Sequence, residues 1–260
     1  MRRAVLAVGL ASLVAVGLLA QEPKKYRSGD RTRPRPKVID PGTASSADKP
    51  GAPPSDAVVL LGGTDLAAEW VRAGKKGDEA KPAWKVENGY AEIAPRSGAI
   101  TSLKKFGDSQ IHVEWATPRE VKGNDQGRGN SGIKLGGFGE VQILDSYQND
   151  TYPDGQAAAL YGKFPPLVNA SRKPGEWQSY DIVTHLPQVD ADGKVVKPGV
   201  ITVLHNGVVV HHAVALGGRF GEFAITLQDH GNPIRFRNIW VRKLGEYDQE
   251  GTPPPEPSKK

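Results

Sequence analysis

The sequence predicts an all-β fold, a sandwich of two antiparallel sheets, over residues 56 to 245. Three observations carry this expectation. Short runs of alternating apolar and polar residues recur, with Gly, Pro, Asn or Asp between them. No long stretch repeats at helical period. About ten such runs fall in one domain with no cysteine, so packing between sheets, and not disulfides, must hold it together. A curved sheet in such a sandwich offers a concave face.

The elements follow in chain order. Arg2 and Arg3, the apolar run from Ala4 to Leu19 and the small residue Ala20 read as an export signal over residues 1–20. An uncleaved anchor is the alternative, although the run is slightly short for a spanning helix of ~20 residues. Residues 21–55 are rich in Pro, Ser and charge and are expected to form a disordered Pro-rich, basic linker. The tail, 246–260, has the same character. Strands are expected at 57–61, 84–94 with a tight turn at Asn88-Gly89, 111–117, 131–135, 140–145, 177–186, 200–216, 223–228 and 234–244. Asn206-Gly207, between two Val-rich runs, is the clearest hairpin turn, because a type I′ turn wants positive φ at both positions.

The stretch GNSGIKLGGFGEVQILDSY, residues 129 to 147, fixes a register. Its apolar residues alternate with Asn130, Lys134, Glu140, Gln142 and Asp145. Pairing 134 with 140 sets Ile133 against Val141 on the core side and Lys134 against Glu140 on the polar side. In 111–117, Ile111, Val113 and Trp115 point inward and His112 and Glu114 outward. Several strands would then present acids, amides and a lysine on one surface, or merely a solvated face. Further along, Gln228, Asp229 and His230 cluster at a strand end, and the apolar parity changes between Phe236 and Ile239. That change predicts a β-bulge near Arg237 and Asn238. The connection 145–177 carries aromatic and apolar residues that argue for order.

Composition excludes several functions. The net charge of +5 lies in the amino-terminal 55 residues, leaving residues 56 to 260 at about −1, so a nucleic-acid partner is not expected. No later stretch could cross a membrane once the signal is removed. Cys-based metal sites are excluded and no cofactor is implied; a Ca²⁺ held by loop carbonyls with Asp150 or Asp154 stays open. The segment 188 to 194 (QVDADGK) reads as a hairpin tip, since Gln188 and Gly199 stand where a calcium loop needs acids. His211 and His212 alternate faces and cannot chelate as a pair.

Four ordered motifs, GNSGIKLGGFGEVQILDSY, ALYGKFPPLVNASRKPGEWQSYDIV, ITVLHNG and LQDHGNPIRFRNIWVR, closely resemble the 3-keto-disaccharide hydrolase family across about 57 to 244. The resemblance implies a concanavalin A-like, laminin G-like jelly roll and export from a bacterial cell, to the periplasm or outside. It also implies action on glycosides whose glucose is oxidised at C3, by 1,2-elimination and hydration of the 3-keto-2-hydroxyglucal. The substrate partner would be an oxidised disaccharide or glycoside. A non-catalytic carbohydrate-binding module is the alternative, because such sandwiches serve both purposes.

That chemistry needs a base at C2, a donor at the C3 oxygen and an acid for the leaving group. Glu140 is the candidate base, with Lys134 and Gln142 at the C3 oxygen or hydroxyls, and His230, oriented by Asp229, as the proton shuttle. Glu114, Asn130, Asp145, Tyr161, Gln228 and Arg237 complete the candidate set. Several have a structural alternative: a surface ion pair for Glu140 and Lys134, a turn histidine for His230, a loop anchor for Asp145, packing for Tyr161 and an edge role for Arg237.

Overall fold

The computed structural model describes residues 26–62 and 65–247. The expected signal and nearly all of the expected tail lie outside the described residues. Residues 26–37, taken by themselves, form local turns, as where Thr32 N donates to Asp30 Oδ1 at 2.9 Å. Residues Val38–Glu246 form one compact unit.

Its strands, in chain order, begin with β1 (Val58–Leu61), β2 (Trp70–Arg72), β3 (Lys85–Glu87), β4 (Tyr90–Glu92) and β5 (Ile100–Phe106). The middle of the chain supplies β6 (Ser109–Ala116), β7 (Ser131–Lys134), β8 (Glu140–Ile143), β9 (Gln178–His185) and β10 (Gln188–Val189). Then come β11 (Val195–Lys197), β12 (Gly199–His205), β13 (Val208–Leu216), β14 (Phe223–Leu227) and β15 (Arg235–Lys243). One sheet runs β13-β12-β9-β6-β15-β4-β3, with β1 added on β15; the other runs β2-β5-β14-β7-β8; all named pairings are antiparallel. Among the described residues there is no α-helix, only short 3-10 turns. This is the expected jelly-roll sandwich.

Alternation decides what lies between the sheets. Ile111, Val113 and Trp115 of β6, Tyr180 and Ile182 of β9, and Phe236 and Ile239 of β15 meet Ile133, Val141, Ile143, Ile225 and Leu227 of the smaller sheet, all buried. The hairpin register is the expected one, Ile133 opposite Val141 and Lys134 opposite Glu140. Both predicted tight turns have positive φ at each residue, 50° and 77° at Asn88-Gly89 and 52° and 80° at Asn206-Gly207. Residues 190–194 form the tip between β10 and β11, with the Asp190 carboxylate accepting from Asp192 N and Lys194 N.

Two strands of the smaller sheet, β2 and β5, were not foreseen. β2 has three residues, too few to show a period, and β5 carries Leu103, Lys104 and Lys105 in succession, all exposed, which breaks the alternation. The pairing survives because Ser102 Oγ accepts from Ile225 N at 3.0 Å where the β5–β14 register slips.

The predicted bulge is present. The register of β15 against β6 shifts between Arg237 and Trp240, with Asn238 at φ 47°. It returns Ile239 and Val241 to the core between the sheets while Trp240, also buried, lies on the opposite face of the strand, stacked on His112 at 5.0 Å.

The linker reading needs correction over its second half. Asp40 and Ser55 are cross-bonded, Ser55 N to Asp40 O at 2.9 Å and Asp40 N to Ser55 Oγ at 3.0 Å. Inside that closure Thr43 N donates to Ala52 O at 3.0 Å, Ala52 N to Thr43 Oγ1 at 2.9 Å and Ser46 N to Lys49 O at 2.8 Å. Ser, Thr and Asp side chains here supply the partners that a sheet would otherwise provide, so a composition poor in apolar residues still forms a closed loop.

Candidate active site

The smaller sheet turns a polar face outward, and pairing sets its residues in rows. Thr226, Lys134 and Glu140 lie side by side on β14, β7 and β8. The next row is Gln228, Gly132 and Gln142, where Gln228 N donates to Gly132 O at 2.9 Å. Gly132 is small for a reason: a Cβ there would overlap the Glu140 carboxylate. The carboxylate therefore lies down over the glycine, and its side chain is only 16% exposed. Lys134 Nζ is 3.7 Å from it, with the lysine half exposed. Burial pushes the Glu140 carboxyl above its ordinary range, against the opposing pull of Lys134 and His230.

The amides beside Glu140 have capacity to spare. Gln142 Nε2 donates to Gln126 Oε1 at 3.0 Å, and Asn130 Nδ2 donates to Gln126 O at 2.8 Å. The side-chain Oε1 atoms of Gln142 and Gln228 are buried and accept no protein hydrogen bond. Buried acceptors normally have partners, and these two lie on either side of Gly132, over which the Glu140 carboxylate rests.

The long connection is ordered and walls this face. Tyr161 N donates to Glu140 O at 2.9 Å, Gln142 N to Ala159 O at 2.9 Å, and Leu160 bridges Val141. The Tyr161 hydroxyl meets that of Tyr152 at 2.6 Å, and both rings are 42% exposed. Asp145 anchors the loop, its Oδ2 accepting from Arg128 Nε at 2.7 Å and its Oδ1 from Tyr147 N at 3.2 Å. Arg128 also holds the Tyr147 carbonyl at 2.9 Å.

Two expectations are corrected. Asp229 does not orient His230: its Oδ2 accepts from Gly98 N at 2.8 Å and its Oδ1 from Gly231 N at 2.9 Å. Backbone donors in this turn capture both oxygens. His230 remains exposed, close enough to Glu140 to influence its charge. Nor do Glu114 and Arg237 share the face of Glu140. β6 and β15 belong to the other sheet, whose outward face carries both.

There Glu114 is saturated. Its Oε2 accepts from Arg237 Nε at 2.6 Å, and its Oε1 accepts from Asn238 Nδ2 at 2.7 Å and from Ser45 Oγ. Burial alone would raise this carboxyl, but hydrogen bonds from His112, Ser45, Asn238 and Arg237 outweigh it and hold the pKa at about 2. Burial likewise disfavours the His112 charge, yet Asp181 at 2.7 Å and Glu114 at 3.4 Å raise its pKa to about 9. A cleft of about 1060 Å³ lies on this side, lined by His112, Glu114 and Arg237 and not by Glu140. Volume does not decide the matter. A carboxylate held at about 2 is a feeble base, whereas burial makes Glu140 a stronger one.

Sequence reading missed Gln126 and Arg128, which sit in a loop without periodicity, and the His112–Asp181 pair, which only the β6–β9 register brings together. No group of three or more His, Asp or Glu side chains among the described residues is placed to hold a metal ion, and Asp150 and Asp154 form no such set.

Residues 56–242 match the sequence profile of the 3-keto-alpha-glucoside-1,2-lyase-like domain. The chain belongs to that family. A candidate glycosyl hydrolase from Parabacteroides distasonis ATCC 8503 is similar over 83% of this chain and 95% of its own, at 39% identity and a TM-score of 0.74. A second from the same organism shares the fold at 19% identity, with a TM-score of 0.55 over 73% of this chain and 94% of its own. No curated protein matches the chain. Membership of the 3-keto-alpha-glucoside-1,2-lyase-like family, with these neighbours, supports a carbohydrate-related function.

Proposed function

We propose that the chain cleaves glycosides whose glucose unit carries a ketone at C3, using the outward face of the smaller sheet. The observation that carries this reading is Glu140: a carboxylate raised by burial, laid over Gly132 between two amide oxygens that lack donors. The family and the Parabacteroides neighbour support the choice of substrate class.

The steps balance. Glu140 takes the C2 proton, made acidic by the C3 ketone, and the electron pair forms an enolate whose oxygen faces the Lys134 ammonium. The enolate re-forms the C3 ketone as the C1–O bond breaks, leaving a C1=C2 double bond. The departing oxygen takes a proton from His230. Water then adds across C1=C2, hydroxyl to C1 and proton to C2, giving the free 3-keto sugar. Gln142 and Gln228 accept sugar hydroxyls, Asn130 and Asp145 hold the wall in place through Gln126 and Arg128, and Tyr161 offers a ring face.

The test is reaction of the purified protein with a 3-keto-α-glucoside and its unoxidised parent, following aglycone release and the ultraviolet absorbance of the enone. Release from the keto substrate alone, with a transient enone, is expected. Binding of intact glycans with no release from either compound would make the face a recognition surface, a reading that the exposed Tyr152 and Tyr161 rings favour.

A further inference from the structure

The outward face of the larger sheet holds a second constellation that this mechanism does not use. Arg237, Glu114, Asn238 and Trp177 line its cleft, with Trp177 stacked 4.2 Å from the Arg237 guanidinium. Residues 40–55 form one wall of that cleft as a closed loop laid over Glu114 and Arg237, and the contacts have a definite chemical pattern. A hydroxyl, Ser45 Oγ, donates to Glu114. Two carbonyl oxygens, of Ser46 and Ala47, accept from Arg237 Nη2 at 2.6 Å and Nη1 at 3.4 Å. Asn238 Nδ2 adds a donor to Ser45 Oγ at 3.2 Å.

We propose that this cleft is a second carbohydrate-binding site and that residues 40–55 are its built-in competitor. One hydroxyl donor facing a carboxylate, adjacent acceptor oxygens facing a planar guanidinium, and an indole at the side are what a neutral pyranoside would present and require. Here a segment from outside the strands completes the Glu114–Arg237 pair, through three atoms of consecutive residues. The loop is built as a unit, closed at Asp40 and Ser55, and Gly51 allows its tight turn because a Cβ there would overlap the Thr43 carbonyl. Such a unit can leave the cleft whole, freeing both Arg237 terminal nitrogens and the place that the Ser45 hydroxyl takes on Glu114 Oε1 together.

The test uses the full chain and its Gly51→Val and Ser45→Asp variants, the first breaking the loop and the second setting a carboxylate against Glu114. Hydrogen exchange of residues 41–54 reads loosening; titration with maltose and methyl α-D-glucopyranoside, followed by tryptophan fluorescence, reads binding. At least tenfold faster exchange and at least tenfold tighter sugar binding are expected together, with Trp177→Ala cancelling the gain in the Gly51→Val background. Faster exchange without tighter binding would make the loop a clasp and sink the proposal. Unchanged exchange in both variants would sink it equally, because the Ser45 contact would then not be what holds the loop.

Discussion

Glu140 and Glu114 show how neighbours assign carboxylates to different tasks. Four donors surround Glu114, and its proton is lost at about pH 2; Glu140 has one cation at 3.7 Å and partial burial, and it moves the other way. Glu140→Gln keeps the shape and removes the base, so turnover on a 3-keto-glucoside should fall by at least ~100-fold. The same change should raise the melting temperature. A group whose folded-state pKa is raised stabilises the fold only below its unfolded pKa and loses that contribution as pH rises, so charged Glu140 is a cost at neutral pH. For the same reason the acid limb of kcat/KM should lie above the 4.5 of an ordinary glutamate, since the working form is the anion. Gly132→Ala tests the geometry: its methyl displaces the Glu140 carboxylate and should lower kcat while leaving the β7–β8 hairpin in register.

At the level of elements, the bulge in β15 aims Arg237 and Asn238 at one carboxylate. Arg237→Met would leave Glu114 buried without its main cation, at a cost of about 3–5 kcal/mol, read as a lower urea midpoint at unchanged slope. The bulge was legible because the parity of Phe236 and Ile239 is incompatible on a regular strand. The β7–β8 register was legible for a similar reason: one slip would set Ile133 against Glu140. β5 was not, because Lys104 and Lys105 stand where alternation asks for one apolar residue. The site was half legible. Parity showed which side chains leave the core, but it could not say which sheet each strand joins, so Glu114 and Glu140 were read onto one surface. Asp229 failed differently, for only the fold reveals that Gly98 N reaches its carboxylate across 131 residues of chain.

Taken whole, the sandwich carries one polar cluster on each outer face, and the one on the larger sheet holds two groups with opposite consequences for pH. His112, raised from 6.5 to about 9, contributes stability that is complete below pH 6.5 and lost as pH climbs through 9. Glu114, lowered from 4.5 to about 2, contributes stability present above pH 4.5 and lost as pH falls toward 2. Urea midpoints measured across pH should therefore be highest between about 4.5 and 6.5, and His112→Phe should flatten the alkaline limb. Loop 40–55 docks on this charged face, on the sheet opposite the one that carries Glu140. The measurement that bears most directly on the central claim is exchange of the C2 hydrogen of a 3-keto-glucoside in deuterated water, with the native protein and with Glu140→Gln. The account predicts deuterium at C2 and a primary isotope effect on release for the native protein, and at least ~100-fold slower exchange for the variant. Undiminished exchange in Glu140→Gln would contradict it, and the base would have to be sought elsewhere.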